Sequence, residues 1–375
     1  MRYIFTKIVA IVVITFILTI LTSCGSTTAN KGGIVSGKVN LFSEKDHSGI
    51  TVLIFSAEAV PSEIANIEKK YPSMMFDTNE GVWFDHRQEM ALDTVVTDSE
   101  GEFRFNKLHY GKYILVYYKE DWGYNYLSDV VLEMDYLDLS KSKELMLYPE
   151  EEIPSFVNER YVLESNKCYV AKNDVIFSQQ SHLIFCDNSR LLLGEYVKID
   201  IYGDVDFPDD DERALVTSYA EIYDNQSKEV VFGEGINVYS KKNSWRNVSF
   251  SYLQNALSVS VDNLSINRLS FIRCYFGLLA KHCKNTEVKK CYFANNNFIN
   301  TVACSAYAVE GFIFNDNIVF NNHIGVLSRI TTNAEFENNA FINNEIGFSN
   351  KLESECVFKN NLLLNWLLSR VTSKL

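Results

Sequence analysis

Short stretches in which apolar and polar residues alternate dominate the chain after residue 33. A period of two is typical of half-buried β-strands, and polar or Gly-containing turns separate the stretches. The stretches begin at Gly33, Gly49, Thr94 and Leu108. Together they predict a small β-sandwich over residues 33–148, interrupted by an insertion at 56–92.

The second half of the chain repeats a unit of 22 residues. The unit reads Phe-x-x-Asn-x-apolar, and clear copies begin at Phe314, Phe336 and Phe358. Extending the frame backwards aligns Val288, Phe271 and, less well, Val248 with Phe314, at uneven steps of 26, 17 and 23 residues. The unit predicts a right-handed parallel β-helix over residues 157–375, in which each coil of about 22 residues contributes three strands.

A leucine-rich repeat has a similar length and is the rival architecture. It fits poorly, because the second consensus leucine is Asn or Cys in this chain. The remainder of each unit is also rich in β-forming residues where a leucine-rich repeat needs a helix. The repeat therefore favours the β-helix, with the Phe and Val positions as inward rows.

An Asn at a fixed position of each unit predicts a side-chain ladder, in which each amide bonds to its copy in the next coil. Asn317, Asn339 and Asn361 form this predicted ladder. The same alignment places Cys274 and Cys291 on that rung in earlier coils. We expect these cysteines to stack as small, weakly polar side chains, and a disulfide between adjacent coils is the alternative.

Composition supports an all-β chain and excludes some partners. There are only 5 Pro and 17 Gly beside 21 Tyr and 25 Phe, and hydrophobic residues make up 47% of the chain. The formal net charge is −13, which disfavours a sequence-independent grip on nucleic-acid phosphates. We therefore expect no nucleic-acid partner.

The amino terminus reads as a targeting signal. Arg2 and Lys7 precede an apolar run at residues 8–21, which is too short to span a bilayer comfortably. The run ends in Leu-Thr-Ser-Cys-Gly at 21–25, which resembles the lipobox of bacterial lipoproteins. The resemblance implies a signal peptide at 1–23, acylation of Cys24 and a flexible tether at 24–32. The alternative is a plain secretory signal with an incidental Cys.

The same resemblance implies localisation. A lipoprotein with these features is lipid-anchored in the bacterial cell envelope, with the membrane as a partner through its anchor. Gly25 stands where some lipoproteins carry Asp, and its identity is compatible with delivery to the outer membrane. The exposed face, periplasmic or extracellular, stays open.

The predicted sandwich resembles the carboxypeptidase regulatory-like family, whose fold is transthyretin-like. The resemblance lies in a Thr-Asp-x-x-Gly-x-Phe-x-Phe-x-x-Leu-x-x-Gly-x-Tyr pattern. The matching residues are Thr97, Asp98, Gly101, Phe103, Phe105, Leu108, Gly111 and Tyr113. The resemblance implies a scaffold or adhesion module without catalytic residues of its own.

The stretch before the clean repeats resembles the opening turns of pectate-lyase-like β-helix proteins. It carries short strands from Tyr161 onward and a Trp-x-x-Val-x-Phe strand at 245–250. Residues 149–156, rich in Glu and Pro, are predicted to be the linker between the two domains. The apolar residues 361–375 are predicted to cap the last exposed strand edge.

The densest acidic cluster is the candidate metal site. Its candidate ligands are Asp204, Asp206, Asp209, Asp210 and Asp211. These residues supply enough oxygen ligands for Ca²⁺ if the loop folds around an ion. A solvated turn between strands is the alternative, because charge runs normally face water.

Candidate ligand-binding residues are few, and no catalytic constellation is evident. Tyr252, Tyr275 and Tyr292 flank an inward row and could point outward to stack on sugar rings, with His323 and Arg329 beside the repeat strands. The other basic candidates, Lys281 and His282, look scattered along the chain.

Three functions are compatible with this sequence. The favoured one is a non-catalytic envelope lipoprotein that binds a polysaccharide or another envelope component. The second is a polysaccharide lyase or glycoside hydrolase of the pectate-lyase-like type, and the third is a purely structural surface module.

Overall fold

The computed structural model describes residues 32–57, 69–70, 90–207, 213–220, 231–240, 244–352 and 354–364. The chain is all-β, as predicted, with a sandwich followed by a parallel β-helix of about 9 turns. The predicted signal peptide at 1–23, almost all of the predicted tether at 24–32 and most of the predicted insertion at 56–92 lie outside the described residues. Within the described ranges, no helix has the length and apolarity that crossing a membrane requires.

The first domain is a sandwich of two four-stranded sheets. Its strands are β1 (Gly33–Leu41), β2 (Thr51–Ser56), β3 (Asp93–Val96), β4 (Glu102–Leu108), β5 (Gly111–Tyr118), β6 (Tyr124–Leu132), β7 (Tyr136–Asp138) and β8 (Leu145–Leu147). A 3₁₀ turn at Leu139–Lys141 precedes β8. One sheet has the antiparallel order β3-β2-β5-β6, and in the other β4, β7 and β8 all pair with β1. Alternate residues of β1 and β4, such as Val35, Val39 and Phe105, fill the core between the sheets.

The second domain is a coil in which every turn contributes to three flat sides. Side one holds β9 (Glu151–Glu152), β12 (Cys168–Ala171), β15 (Arg190–Leu193), β18 (Ala214–Ser218), β21 (Val248–Ser251), β24 (Ser270–Ile272), β27 (Tyr292–Ala294), β30 (Ile318–Phe320), β33 (Ala340–Ile342) and β36 (Leu362–Leu364). Side two holds β10 (Phe156–Val157), β13 (Val175–Phe177), β16 (Lys198–Ile201), β19 (Gly233–Val238), β22 (Leu253–Val259), β25 (Phe276–Lys281), β28 (Val302–Tyr307), β31 (Ile324–Arg329) and β34 (Ile346–Lys351).

Side three consists of two separate sheets. The first holds β11 (Arg160–Leu163), β14 (His182–Phe185) and β17 (Asp204–Asp206). The second holds β20 (Ser244–Arg246), β23 (Ser265–Asn267), β26 (Lys284–Lys289), β29 (Glu310–Asn315), β32 (Ala334–Glu337) and β35 (Cys356–Lys359). Within each of these sheets every strand pairs in parallel with the strand one turn later, as β29, β32 and β35 do.

The two ends of the β-helix differ from the predicted boundaries. The predicted linker at 149–156 is already part of the coil, because β9 pairs with β12 and β10 pairs with β13. The predicted cap at 361–375 begins with a further strand, β36, which pairs with β33. Residues 365–375 lie outside the described residues.

Aromatic side chains stack in rows inside the coil. Phe336 is in register with Phe314 and Phe358, and its ring centroid lies 5.7 Å and 4.9 Å from theirs. A second row, on side one, stacks Phe271 between Phe250 and Phe293 at 5.2 Å and 5.0 Å. The predicted inward Phe row is therefore present, and the pairing places identical rings at stacking distance.

Asn side chains stack at a corner that the backbone turns in the left-handed conformation. Asp316 and Asn338 have φ values of 57° and 55°, which Asn and Asp tolerate better than most residues. The next residue in each turn is a ladder Asn: Asn317 Nδ2 donates to Asn339 Oδ1 over 3.1 Å, and Asn339 Nδ2 donates to Asn361 Oδ1 over 2.9 Å. The ladder satisfies buried polar atoms where the chain leaves side three.

A second ladder lies five residues further along each turn, and it corrects the predicted register. Asn296, Asn322 and Asn344 form it, with amide bonds of 2.9 Å and 2.8 Å. Cys274 belongs to this second ladder because its backbone N–H donates to Asn296 Oδ1, whereas Cys291 donates to Asn317 in the first. The prediction that Cys274 and Cys291 share one rung is wrong, and both thiols are free and buried.

The reason for the error is a degeneracy of the repeat. An apolar residue followed three positions later by Asn or Cys occurs twice, five residues apart, in the turns that contain Val288, Phe314 and Phe336, whereas in the turn before them only Phe271 is followed in this way. The sequence alignment therefore matched Phe271 with Val288, five residues out of register. In the structure Phe271 pairs with Phe293, and Ile266 pairs with Val288.

The two domains share a packed junction. Leu53, Phe55 and Val116 from the outer face of the sandwich form one buried cluster with Val170 and Leu192 from the outer face of side one. Within the junction, the buried Arg190 guanidinium donates to Asn125 Oδ1 over 2.5 Å and to the Asn188 carbonyl over 2.7 Å. Tyr124 and Tyr126 lie 5.1 Å and 5.6 Å from this cation and stabilise it through their ring faces.

Substitution of Asn339 by Ala should lower the free energy of unfolding by about 3 kcal/mol, because it leaves several buried donors and acceptors without partners. The lost partners include Asn317 Nδ2, Asn361 Oδ1 and the Phe314 carbonyl. Urea unfolding followed by circular dichroism measures the change. The adjacent Asn338→Gly variant is the control, since Gly accepts φ 55° and should shift stability by less than about 0.5 kcal/mol. Equal effects of the two variants would contradict the ladder.

The thiols of Cys274 and Cys291 should resist alkylation in the folded protein, because burial raises the pKa of each to about 12. Iodoacetamide at pH 8 should label neither residue until urea is added, as peptide mass spectrometry can measure. Their contribution to stability is complete below about pH 8.5, the unfolded pKa, and declines as pH rises towards the folded value. Unlabelled cysteines in unfolded, unreduced protein would reveal a disulfide and contradict this prediction.

Candidate functional site

The described part of the predicted acidic cluster lies on the outer face of side three. Asp204 and Asp206 both point outward from β17, and Asp206 Oδ2 lies 2.8 Å from His182 Nε2. Asp209, Asp210 and Asp211 lie outside the described residues, so the Ca²⁺ site stays a prediction. Among the described residues no group of three or more His, Cys, Asp or Glu side chains could hold a metal ion.

The three predicted sugar-stacking tyrosines do not form a surface. Tyr252 is buried at a left-handed corner, with φ 53°. Tyr292 points out of the coil, but the outer face of side one is covered at this point, and the Arg213 guanidinium lies 5.8 Å from the ring. Tyr275 is half-buried against Phe276. The prediction that these rings are available to stack on sugar rings is therefore wrong for Tyr252 and Tyr292, because both are buried.

The predicted basic residues divide between two places. His323 Nδ1 lies 2.7 Å from Glu345 Oε2 in the next turn, at a corner between sides one and two. Arg329 ends β31 on side two and is in register with Tyr307 and Lys351. Lys281 is in register with Tyr307 on the other side, so Lys281 and Arg329, scattered in the sequence, share one column.

This column runs along the corner where the chain leaves side two, and we call it the corner column. Each side-two strand has a last inward-facing residue, and the residue that follows it in the chain belongs to the column. In order along the coil its members are Ser178, Tyr202, Tyr239, Ser260, Lys281, Tyr307, Arg329 and Lys351. Because parallel strands keep their register, these side chains stand on consecutive rungs.

Tyr202 and Tyr239 form an exposed aromatic pair in the corner column. Their ring centroids are 4.8 Å apart with an interplanar angle of 14°, and the two residues are 40% and 43% exposed. The rungs on either side carry the small residues Ser178 and Ser260, so the outer face of each ring meets no bulky neighbour from its own column. Rings of this exposure and geometry are suited to stacking against a ligand.

Two carboxylate–amide pairs lie on the outer face of side two, and the first of them adjoins the aromatic pair. Asn237 Nδ2 donates to Asp200 Oδ1 over 2.8 Å, and Lys198 Nζ lies 3.7 Å from Asp200 Oδ2. One turn further along, Asn255 Nδ2 donates to Glu234 Oε1 over 2.5 Å. These carboxylate and amide pairs are held in place by each other and keep further donors and acceptors for a ligand.

The pKa of Tyr239 is shifted upward. Burial is the main cause, and the Asp200 carboxylate and the neighbouring Tyr202 raise the pKa further. The phenol is therefore neutral at physiological pH and offers both a donor and an acceptor beside the Asp200 carboxylate.

The aromatic pair was not found by the sequence reasoning, although a signal exists. Ile-Asp-Ile-Tyr at 199–202 and Ile-Asn-Val-Tyr at 236–239 share one pattern, apolar-polar-apolar-Tyr. The long connection between β18 and β19 increases their separation in sequence beyond 22 residues, so the 22-residue frame does not align the two tyrosines.

Comparisons with known proteins identify the first domain only. Residues 33–138 match the family model of the third transthyretin-like domain of NOMO. The predicted transthyretin-like fold of the sandwich is thereby confirmed for these residues. The match covers less than half of the chain and stops before the β-helix, which holds the corner column.

Curated proteins and solved structures add no functional argument. No curated protein matches the chain. One similar structure is a crystal structure of a Coh3ScaB–XDoc_M1ScaA complex, an N-terminal interface mutant of a type II cohesin-X-dockerin complex from Acetivibrio cellulolyticus. It is 18% identical, with a TM-score of 0.20, and the match covers 32% of this chain and 58% of that chain. At that TM-score the likeness carries no argument.

Proposed function

We propose that this protein is a membrane-anchored lipoprotein of the bacterial envelope whose β-helix binds glycan without cleaving it. The observation that carries the proposal is the exposed stacked pair of Tyr202 and Tyr239 beside Asp200 and Asn237. Sugar rings present apolar C–H faces and hydroxyl edges, so they need an aromatic platform with carboxylate and amide groups next to it. The corner column and the outer face of side two supply both.

The arrangement favours binding over catalysis. Glycoside hydrolysis needs two carboxylic groups on opposite sides of a bond, and lyase chemistry needs a positioned base. Asp200 accepts a hydrogen bond from Asn237 and forms an ion pair with Lys198, and Glu234 accepts a hydrogen bond from Asn255. Each carboxylate is thus held in place by a donor and keeps free lone pairs, which suits it to accept hydrogen bonds from sugar hydroxyls.

The membrane anchor in this proposal rests on the sequence. The Leu-Thr-Ser-Cys segment at 21–24 carries the lipobox pattern, and Cys24 is the residue that would be acylated. Several acyl chains on one residue hold a protein at a membrane firmly, since each buried methylene contributes about 0.8 kcal/mol. Gly25 is compatible with delivery to the outer membrane.

Replacement of either Tyr202 or Tyr239 by Ala should weaken oligosaccharide binding by about two- to tenfold, because each ring contributes stacking energy to a bound sugar. Isothermal titration of the full-length protein in detergent with a panel of neutral and acidic oligosaccharides, with and without Ca²⁺, measures the change. Tyr136→Ala is the control, since Tyr136 is 47% exposed on the sandwich and should leave the affinity unchanged.

Three outcomes of the same assay would contradict the proposal. Equal losses of oligosaccharide affinity in all three variants would show that the aromatic pair is not the binding surface. Shortening of the polysaccharide chains during incubation, detected by size-exclusion chromatography, would favour the lyase or hydrolase alternative. Absence of binding to the whole panel would favour the purely structural module.

Replacement of Cys24 by Ala should release the protein from the membrane fraction, because the acylated thiol would be lost. Metabolic labelling with a fatty-acid analogue followed by fractionation measures both effects. Cys186→Ala is a matched control, since Cys186 is a half-buried cysteine of the β-helix and should leave labelling and localisation unchanged. A Cys24→Ala protein that still carries lipid would contradict the anchor.

A further inference from the structure

A cleft lies at the end of the sandwich that meets the first turns of the β-helix. Its volume is about 300 Å³. The described residues that line it are Phe42, Tyr117, Asn125, Glu144, Met146, Tyr148 and Asn166. Asn166 comes from a corner of the β-helix and the others come from the sandwich, so the cleft belongs to both domains. Clefts at domain boundaries are frequent places for small ligands.

The sheet that contains β1 and β8 gives the cleft an apolar wall. Phe42 follows β1 and Tyr148 follows β8, and their ring centroids lie 5.0 Å apart. Met146 of β8 lines the same cleft with a flexible thioether. We call these three side chains the apolar wall. Phe42 is 47% exposed, so the wall is accessible to the apolar part of a ligand.

The other sheet contributes two buried polar side chains. Tyr117 and Asn125 are in register on β5 and β6 and are only 3% and 5% exposed. Within the described ranges, the Tyr117 hydroxyl makes no hydrogen bond and Asn125 Nδ2 has no acceptor. Burial raises the pKa of Tyr117 to about 12, so the phenol is neutral and can donate. Polar groups buried to this extent normally have partners, and both of these open into the cleft.

The buried Arg190 cation determines which end of the Asn125 amide faces the cleft. An arginine only donates hydrogen bonds, so the Asn125 atom 2.5 Å from Arg190 Nη2 must be the oxygen. The same oxygen accepts from the backbone N–H of Tyr126 over 2.8 Å. The NH₂ group of Asn125 is therefore left as a donor for the cleft.

The same reasoning reaches Asn166 through Asn188. Arg190 Nη2 donates to Asn188 Oδ1 over 2.8 Å, so Asn188 must present its NH₂ group to Asn166, whose Oδ1 accepts over 2.7 Å. Asn166 Nδ2 then remains as a donor without an acceptor in the described part of the chain. We call Asn166 Nδ2, Asn125 Nδ2 and the Tyr117 hydroxyl the donor set of the cleft.

The charge beneath the cleft favours an anionic acceptor. Arg190 is buried and forms no ion pair with a described acidic residue, and a buried charge without a counter-ion is costly. The ring faces of Tyr124 and Tyr126 offset part of this cost. Glu144 is the acidic residue of the described lining, and it is exposed, so solvent screens its repulsion of an anion.

We infer that this cleft binds a carboxylate attached to an apolar body, supplied by a free carboxylic acid or by the C-terminal residue of a peptide. The carboxylate oxygens accept from the donor set, and the apolar body packs against the apolar wall. A carboxylate accepts several hydrogen bonds at once, and its charge strengthens each of them. The cleft lies apart from Tyr202 and Tyr239, so the inference goes beyond the proposed glycan-binding function and does not depend on it.

The first test replaces a donor by an acceptor of the same shape. Asn125→Asp keeps an oxygen for Arg190 but puts a second oxygen where the NH₂ group was. Isothermal titration of full-length protein in nonionic detergent with N-acetylphenylalanine at pH 7 should show at least about tenfold weaker binding. Asn106→Asp is the matched control, because Asn106 Oδ1 also accepts from an arginine, Arg104 Nε at 2.9 Å, but on the outer face of β4 away from the cleft. It should leave the affinity unchanged, and equal losses in the two variants would overturn the inference.

Two further variants have effects of opposite sign. Tyr117→Phe removes one donor and should weaken binding of the same probe about three- to tenfold. Glu144→Gln removes the negative charge of the lining and should strengthen binding about twofold. The melting temperature of Asn125→Asp should equal or exceed that of the natural protein, because the new carboxylate pairs with Arg190. Weaker binding in Asn125→Asp alone, with a lower melting temperature, would show a purely structural role and overturn the inference.

Related probes test the chemistry of the ligand. The primary amide of N-acetylphenylalanine lacks the charge and acetate lacks the apolar body, so each should bind at least about tenfold more weakly than the acid. Comparison of 3-phenylpropionate with a peptide that ends in Phe identifies the source, since the tighter of the two is the closer analogue of the ligand. Equal binding of the acid and its amide, displacement of the acid by a neutral oligosaccharide, or no binding of any probe would overturn the inference.

Discussion

The in-register parallel pairing of successive turns is the constraint on which the structure of the β-helix depends. Backbone hydrogen bonds hold each strand about 4.8 Å from its copy in the next turn, so every side chain lies directly over an equivalent one. Each column must therefore be compatible with stacking on itself. Phe314, Phe336 and Phe358 meet this condition with aromatic contacts, and the Asn ladders meet it with amide hydrogen bonds.

The same constraint explains the corners and the charged faces. Asn and Asp recur at left-handed positions because the chain must turn at the same point of each coil. On side three, acidic and basic residues follow each other so that neighbouring rungs attract, as Lys284 and Glu310 do.

A coil of stacked turns also determines what kind of site the protein can build. Side chains at one corner form a straight line parallel to the axis, and adding turns lengthens the line without changing its geometry. Such a line suits a linear ligand better than a compact one. The sandwich adds no residue to the corner column, and it packs against side one of the first turns through a shared buried cluster and Arg190.

Local patterns were sufficient for the architecture because they repeat. Alternation predicted the strands, the Thr-Asp-x-x-Gly-x-Phe-x-Phe pattern predicted the transthyretin-like sandwich, and three regular 22-residue units predicted the coil, the Phe row and the first Asn ladder. Each of these depends on residues close in sequence or at a constant spacing, where periodicity alone indicates which side chains meet.

The site depended on register between turns of unequal length, and only the tertiary structure decided it. Because the connection between β18 and β19 is long, the 22-residue spacing does not align Tyr202 with Tyr239. Because the pattern of apolar residue and Asn or Cys recurs five residues apart within a turn, Cys274 looked equivalent to Cys291. Burial of Tyr252 and Tyr292 likewise came from packing that no local pattern records. The sequence shows where apolar and polar residues alternate, but backbone hydrogen bonds between segments distant in the chain determine which residues become neighbours.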